Sequence, residues 1–205
     1  MNEIDFEYWS GVYIDEYKKY NTYIAYINDN GESVKDYSPF FESISKTLRK
    51  RGFLFKEEFI SICEWKSLRP RPRYTSNSEE EVKERTKIAI ASYPNIEEQI
   101  QELTLLKGVG IPMASAILTV IFPEDYCVVD YHACKALAWL AAKYDIEDYP
   151  TISNILENLR NNFVLDTYTD YLRLIRKVAK EYNLSARKVE MALWAFDRTK
   201  TQKHK

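Results

Sequence analysis

Gly108, Val109 and Gly110 interrupt two apolar stretches, and Asp130 follows the second glycine by twenty residues. The chain has only five glycines, and two of them stand in this one short turn. Glycine reaches backbone angles that other residues adopt only at a cost. With no side chains there, the amides that open the following helix are exposed. Together with the positive end of the helix dipole they can hold a phosphate oxygen. Val109 points inward and locks the turn against Leu106, Ala114 and Ile117. Pro112 falls early in the second helix, where a missing N–H costs little. A helix–hairpin–helix of this kind grips a nucleic-acid backbone without reading its bases. The plainer reading is a tight interhelical turn with no ligand.

Asp130 is reached through the apolar run Tyr126-Cys127-Val128-Val129, and an amphipathic helix begins after it. Aspartate is a preferred N-cap, and its charge suits a helix start. Capping and chemistry are compatible, because a cap fixes the carboxylate at the edge of an element. His132, in the first turn of that helix, reads as a structural residue.

The elements that must carry these residues read almost entirely as helix. Phe6, Tyr13, Tyr17, Tyr20 and Ile24 recur at mostly helical spacing, predicting a helix over 4–29 that ends at Asn30-Gly31. A second helix is expected over 37–50 and a third over 55–66, before the Pro-rich loop 67–78. Ser78 with Glu81 is a capping box for a helix running to about residue 93, and Asn95 with Glu98 starts another ending near Leu106. Helices follow at 111–121, 131–144, 151–162, 166–183 and 185–198, the last capped by Ser185. No stretch alternates as a half-buried strand would. The expected fold is all-α.

Charge is uneven along a chain whose net charge is only −2. Residues 1–45 are acidic, whereas 46–73 carry nine Lys or Arg against Glu57, Glu58 and Glu64. Within that basic stretch, Trp65, Lys66, Arg69, Arg71, Arg73 and Tyr74 are candidate pocket or phosphate contacts, with the aromatic rings as stacking platforms. The bland alternative is a solvated loop with a core tryptophan. Trp139 and Trp194 sit in apolar helical patterns and are expected in the core. Cys63, Cys127 and Cys134 have no metal-ligand spacing, and their odd number argues against a disulfide framework. A reduced, cytoplasmic setting is the simpler expectation. The N-terminal residues do not read as a signal peptide, and no run is long and apolar enough to span a membrane.

Leu106, Gly108, Val109, Gly110 and Ala114, followed by Val129, Asp130 and His132 at this separation, resemble the helix–hairpin–helix DNA glycosylases of the endonuclease III type (the HhH-GPD superfamily). The likeness covers about 35 residues, 103–137. It implies one two-lobed helical domain over 1–205, with the hairpin at 103–122 and the Asp130-capped helix at 129–143. Residues 1–52 would be acidic helices, either an added lobe or a cover. It also implies base excision on double-stranded DNA, with Lys107, Gly108, Val109 and Gly110 on the strand. Asp130 would activate water or stabilise the sugar cation as the base leaves, and the extruded nucleotide would sit between the hairpin and the opposite lobe. Tyr131 counts among the candidate pocket contacts. The segment from Trp65 to Tyr74 would lie across the cleft from the hairpin.

Two departures refine the expectation. Pro112 stands where bifunctional relatives carry the lysine of their Schiff base, which implies hydrolysis without lyase activity. Lys107 replaces the usual proline and can itself meet a phosphate. The four-cysteine iron–sulfur loop of some relatives is absent, so no cofactor is expected beyond a monovalent cation at the hairpin carbonyls. The rival reading is a non-catalytic helix–hairpin–helix nucleic-acid-binding protein. A helical protein-interaction domain is a third.

Overall fold

The computed structural model describes residues 4–143, 147–161 and 164–202. It is mostly helical, and it divides into two compact units, residues 21–123 and residues 1–20 with 124–205.

The unit formed by residues 21–123 opens with a β-hairpin, β1 (Ile24–Ile27) paired antiparallel with β2 (Ser33–Asp36). The expected helix over 4–29 therefore stops early, and strand structure appears where none was expected. Tyr20 and Ile24 extend the helical spacing past its true end, but Ile24 and Tyr26 are buried in strict alternation along β1. The Asn28 side chain turns the chain by accepting from the amides of Asn30 and Glu32, and Gly31 adopts the left-handed φ of 81°. The outer edge of β1 is satisfied by side chains of α3 (Lys56–Lys66). Ser61 Oγ accepts from Ala25 N–H at 2.7 Å, and Glu58 Oε1 from Ile27 N–H at 2.8 Å. Glu58 is buried, and its second oxygen takes Arg51 and the amide of Phe55.

Around these lie α2 (Glu42–Arg51), the single turn α4 (Arg71–Tyr74), α5 (Glu79–Ala91), α6 (Ile96–Thr104) and α7 (Ile111–Ile121). The helix expected from residue 37 starts only at Glu42, after Phe41 in a left-handed conformation. α7 is buried from Met113 to Ile121 and packs against α2, α3 and α6. A helix apolar on every side must be central, and this one has no polar face to offer water. Its Ser115 and Thr119 hydroxyls donate within the helix, to the Pro112 and Ser115 carbonyls.

The other unit comprises α1 (Phe6–Lys19), α8 (Tyr131–Lys143), α9 (Tyr149–Asn161), α10 (Leu165–Tyr182) and α11 (Ala186–Gln202). The expected helix ends at 144 and 162 lie outside the described residues. α11 packs on α1, α8 and α10. Arg187 of α11 is buried with Glu190 as its ion-pair partner, and it also donates to the Tyr13 hydroxyl of α1 at 2.9 Å. Trp139, expected in the core, is instead 41% exposed, with one face on Phe196 and Lys143 over its ring. No described helix is long and apolar enough to cross a membrane.

Candidate nucleic-acid interface

The hairpin lies between α6 and α7, within residues 21–123. α6 ends at Thr104, and Val109 N–H returns to the Leu106 carbonyl at 3.1 Å, closing the turn. Val109 and Leu106 are buried, while Lys107 and Gly110 are exposed.

The two glycines have different reasons to be there. Gly108 has φ of 80°, where a side chain is strained. A β-carbon on it would also lie 2.8 Å from Tyr74 N and 2.9 Å from Arg73 Cβ. Gly110 has φ of −98° and ψ of 178°, ordinary extended backbone, and a β-carbon there would meet nothing closer than Pro112 Cδ at 3.9 Å. Only Gly108 is required by conformation. At Gly110 the missing side chain leaves the main chain approachable. Among the described residues the amides of Gly108, Gly110 and Ile111 have no hydrogen-bond acceptor, as helix-opening amides do before a ligand or water takes them.

The Pro-rich loop is part of this structure. Asn77, buried and expected to be no more than a loop residue, grips Lys107 by its main chain. Its Oδ1 accepts from Lys107 N–H at 2.8 Å, and its Nδ2 donates to the carbonyls of Lys107 at 3.0 Å and Tyr74 at 2.9 Å. The segment expected across a cleft from the hairpin therefore reaches it directly, through Arg73, Tyr74 and Asn77. Tyr74 is fully buried beneath this contact, so its ring is packing and cannot be a stacking platform. Arg69, Arg71 and Arg73 are exposed, and Arg71 is paired with Glu64 at 2.7 Å. Trp65 is half-buried and meets Phe41 edge to face, and Lys66 is half-buried beside it in the last turn of α3.

The carbonyls of Leu106 and Lys107 already accept the Val109 and Asn77 donors. Each carbonyl keeps a second lone pair, and that is what a monovalent cation at the hairpin would use.

Asp130 belongs to the other unit. The run leading to it is buried and pairs with no strand; side chains of α10 bond two of its carbonyls and that of Asp125. Tyr168 and Tyr171 donate their hydroxyls to Cys127 O and Val128 O, and Arg176 donates Nε to Asp125 O. Each of the two rings is buried while its hydroxyl tip meets a carbonyl. Asp130 ends that scaffold half-buried, and its Oδ1 accepts from His132 N–H at 2.8 Å as the cap of α8. His132 Nδ1 meets Asp197 Oδ2 at 2.8 Å, and Lys135 Nζ lies 3.1 Å from the other Asp197 oxygen. With a carboxylate partner, Nδ1 carries the proton. Tyr131 is exposed.

No family model, curated protein or solved structure matches this chain.

Burial raises the thiols of Cys63 and Cys127 well above the usual cysteine range, which leaves them protonated and unreactive. No three His, Cys, Asp or Glu side chains gather into a metal-holding group among the described residues. Asn77, Tyr168, Tyr171 and Asp197 escape sequence reasoning because the bonds to Lys107, Cys127, Val128 and His132 span 30 to 65 residues.

Proposed function

We propose that this chain is a DNA glycosylase-like protein of the helix–hairpin–helix, endonuclease III type, acting on a damaged or modified base in duplex DNA. The observation that carries the reading is the hairpin. Gly108 is required there by φ and by packing, while the neighbouring Gly110 is open and the amides of Gly108, Gly110 and Ile111 lack internal acceptors. Such amides suit a phosphate oxygen. Asp130 supplies the carboxylate, half-exposed at a helix start and held by the Tyr168 and Tyr171 scaffold. Its role is to activate water or to stabilise the sugar cation as the N-glycosidic bond breaks. Pro112 offers no amine, so the reaction is hydrolytic and leaves an abasic site with the strand intact. No step depends on a metal or a bound cation.

The test is incubation with duplexes bearing a broad panel of altered bases, followed by alkali to reveal abasic sites. Excision by the native protein and none by Asp130→Asn supports the reading. No excision of any base by a folded protein that binds duplex DNA would sink it. Borohydride trapping is expected to give no covalent adduct.

A second reading has its own observation. Asp130 already serves as the cap of α8 through His132 N–H. A non-catalytic helix–hairpin–helix DNA-binding protein needs nothing more of it. Binding that is unchanged in Asp130→Asn, without turnover by either protein, supports that alternative.

A further inference from the structure

Arg73 stands apart from the arginines near it. Its Cβ lies 2.9 Å from where a β-carbon on Gly108 would stand, so its stem abuts the hairpin glycine. Its side chain is exposed and has no ion pair among the described residues, whereas Arg71 is tied to Glu64. The mount beneath it is rigid. Asn77 bonds the main chain of Lys107 on one side and the Tyr74 carbonyl on the other, and Tyr74 itself is buried. A cation without a carboxylate partner thus has its stem anchored beside amides without acceptors. Both features favour an anion, and they arise independently, one from a side chain and one from the main chain.

We propose that Arg73 is a second phosphate-binding residue, held by the Asn77 clamp beside the hairpin so that the two take neighbouring phosphates of one nucleic-acid strand. This rests on the phosphate role given to the hairpin above. A strand presents phosphates at a repeating separation, so two receptors locked to each other bind it without the ordering cost of two that drift. A free phosphate ion would fill only one of them. The partner is therefore a strand, and Asn77 is a positioning residue that does not itself touch it.

The experiment is titration of a short labelled duplex of arbitrary sequence over a series of salt concentrations. Removing one phosphate contact lowers the slope of log affinity against log salt by about 0.9, which corresponds to roughly fivefold weaker binding near 0.15 M salt. Arg73→Gln is expected to show that loss and Arg73→Lys to retain most of the slope, with Arg71→Gln changing it less. Gly110→Glu, which sets a carboxylate at the open amides without backbone strain, tests the hairpin separately. A slope unchanged in Arg73→Gln but reduced in Gly110→Glu overturns the Arg73 assignment and leaves the hairpin reading standing. A native protein without salt-dependent affinity overturns both. For the clamp, Arg73→Gln should cost less in an Asn77→Ala background than in the native one, because the rigid mount is already lost. Additive losses would remove Asn77 from the proposal. Asn77→Ser serves the same comparison if the alanine variant does not fold.

Discussion

A β-carbon on Gly108 would stand 2.8 Å from the main-chain nitrogen of Tyr74, so the hairpin and the α4 turn approach closer than any other residue type permits. Gly108→Ala must both hold a left-handed φ and push the two segments apart. The combined cost is roughly 2–4 kcal/mol. Gly110→Ala, on extended backbone with room for a methyl group, should change stability by less than about 1 kcal/mol. Urea unfolding of the two variants side by side checks the contrast.

Asn77→Ala removes the acceptor for Lys107 N–H and the donor for two carbonyls. A loss of about 1–3 kcal/mol is expected from the groups left unpaired. Asn77→Asp should be no milder, since it keeps the acceptor but turns a second oxygen toward those carbonyls. Thermal unfolding at matched conditions compares them.

Asp130→Asn keeps an oxygen for the His132 amide, so α8 should retain its cap and the protein its melting temperature within a few degrees. Asp130→Ala should cost about 1 kcal/mol more, as lost caps do. A large drop in stability for the asparagine variant would show that the charge itself is structural, and it would weaken the case for chemistry at this residue.

Arg187 and Glu190 form a buried ion pair, with Tyr13 as a further partner of the arginine. Arg187→Met removes the guanidinium paired with the buried Glu190 carboxylate and is expected to cost about 3–5 kcal/mol. Adding Glu190→Leu should recover most of that loss, because an apolar pair no longer needs solvation. Denaturant midpoints of the single and double variants decide the point.

Alkaline pH should loosen the unit that contains α10. Burial raises the Cys127 thiol and the Tyr168 and Tyr171 hydroxyls well above their ordinary values, so the folded protein keeps protons that the unfolded chain releases. Their contribution is fully present below the unfolded values, about 8.5 for cysteine and about 10 for tyrosine, and falls as pH rises past each. Melting temperature should therefore decline from about pH 8.5 and more steeply above about pH 10. Native Cys63 and Cys127 should resist iodoacetamide across the lower part of that range.

What could be seen in the sequence was local. Ser78 with Glu81, Asn95 with Glu98, and Ser185 with Lys188 form the caps expected of them, because each bond spans three residues. The bounds of α7 also match, set by Gly110 before it and by its unbroken apolar run. What escaped depended on distant partners. β1 is four residues long, too short to establish an alternation, and its outer edge is completed by Glu58 and Ser61 of α3. Asn77 has the composition of a surface loop until Lys107 folds onto it. Tyr74 and Trp139 carry the same ambiguity in opposite directions, since aromatic spacing cannot say which ring a neighbouring element will cover.

α1 packs on α11, and the residues between them include all of the unit formed by 21–123. During synthesis that inner stretch can complete its own contacts while α1 still lacks its mate. The face that α1 presents to α11 must then wait on the nascent chain until α11 leaves the ribosome. Its row of aromatic residues (Trp9, Tyr13 and Tyr17) is the surface a chaperone would meet in the interval.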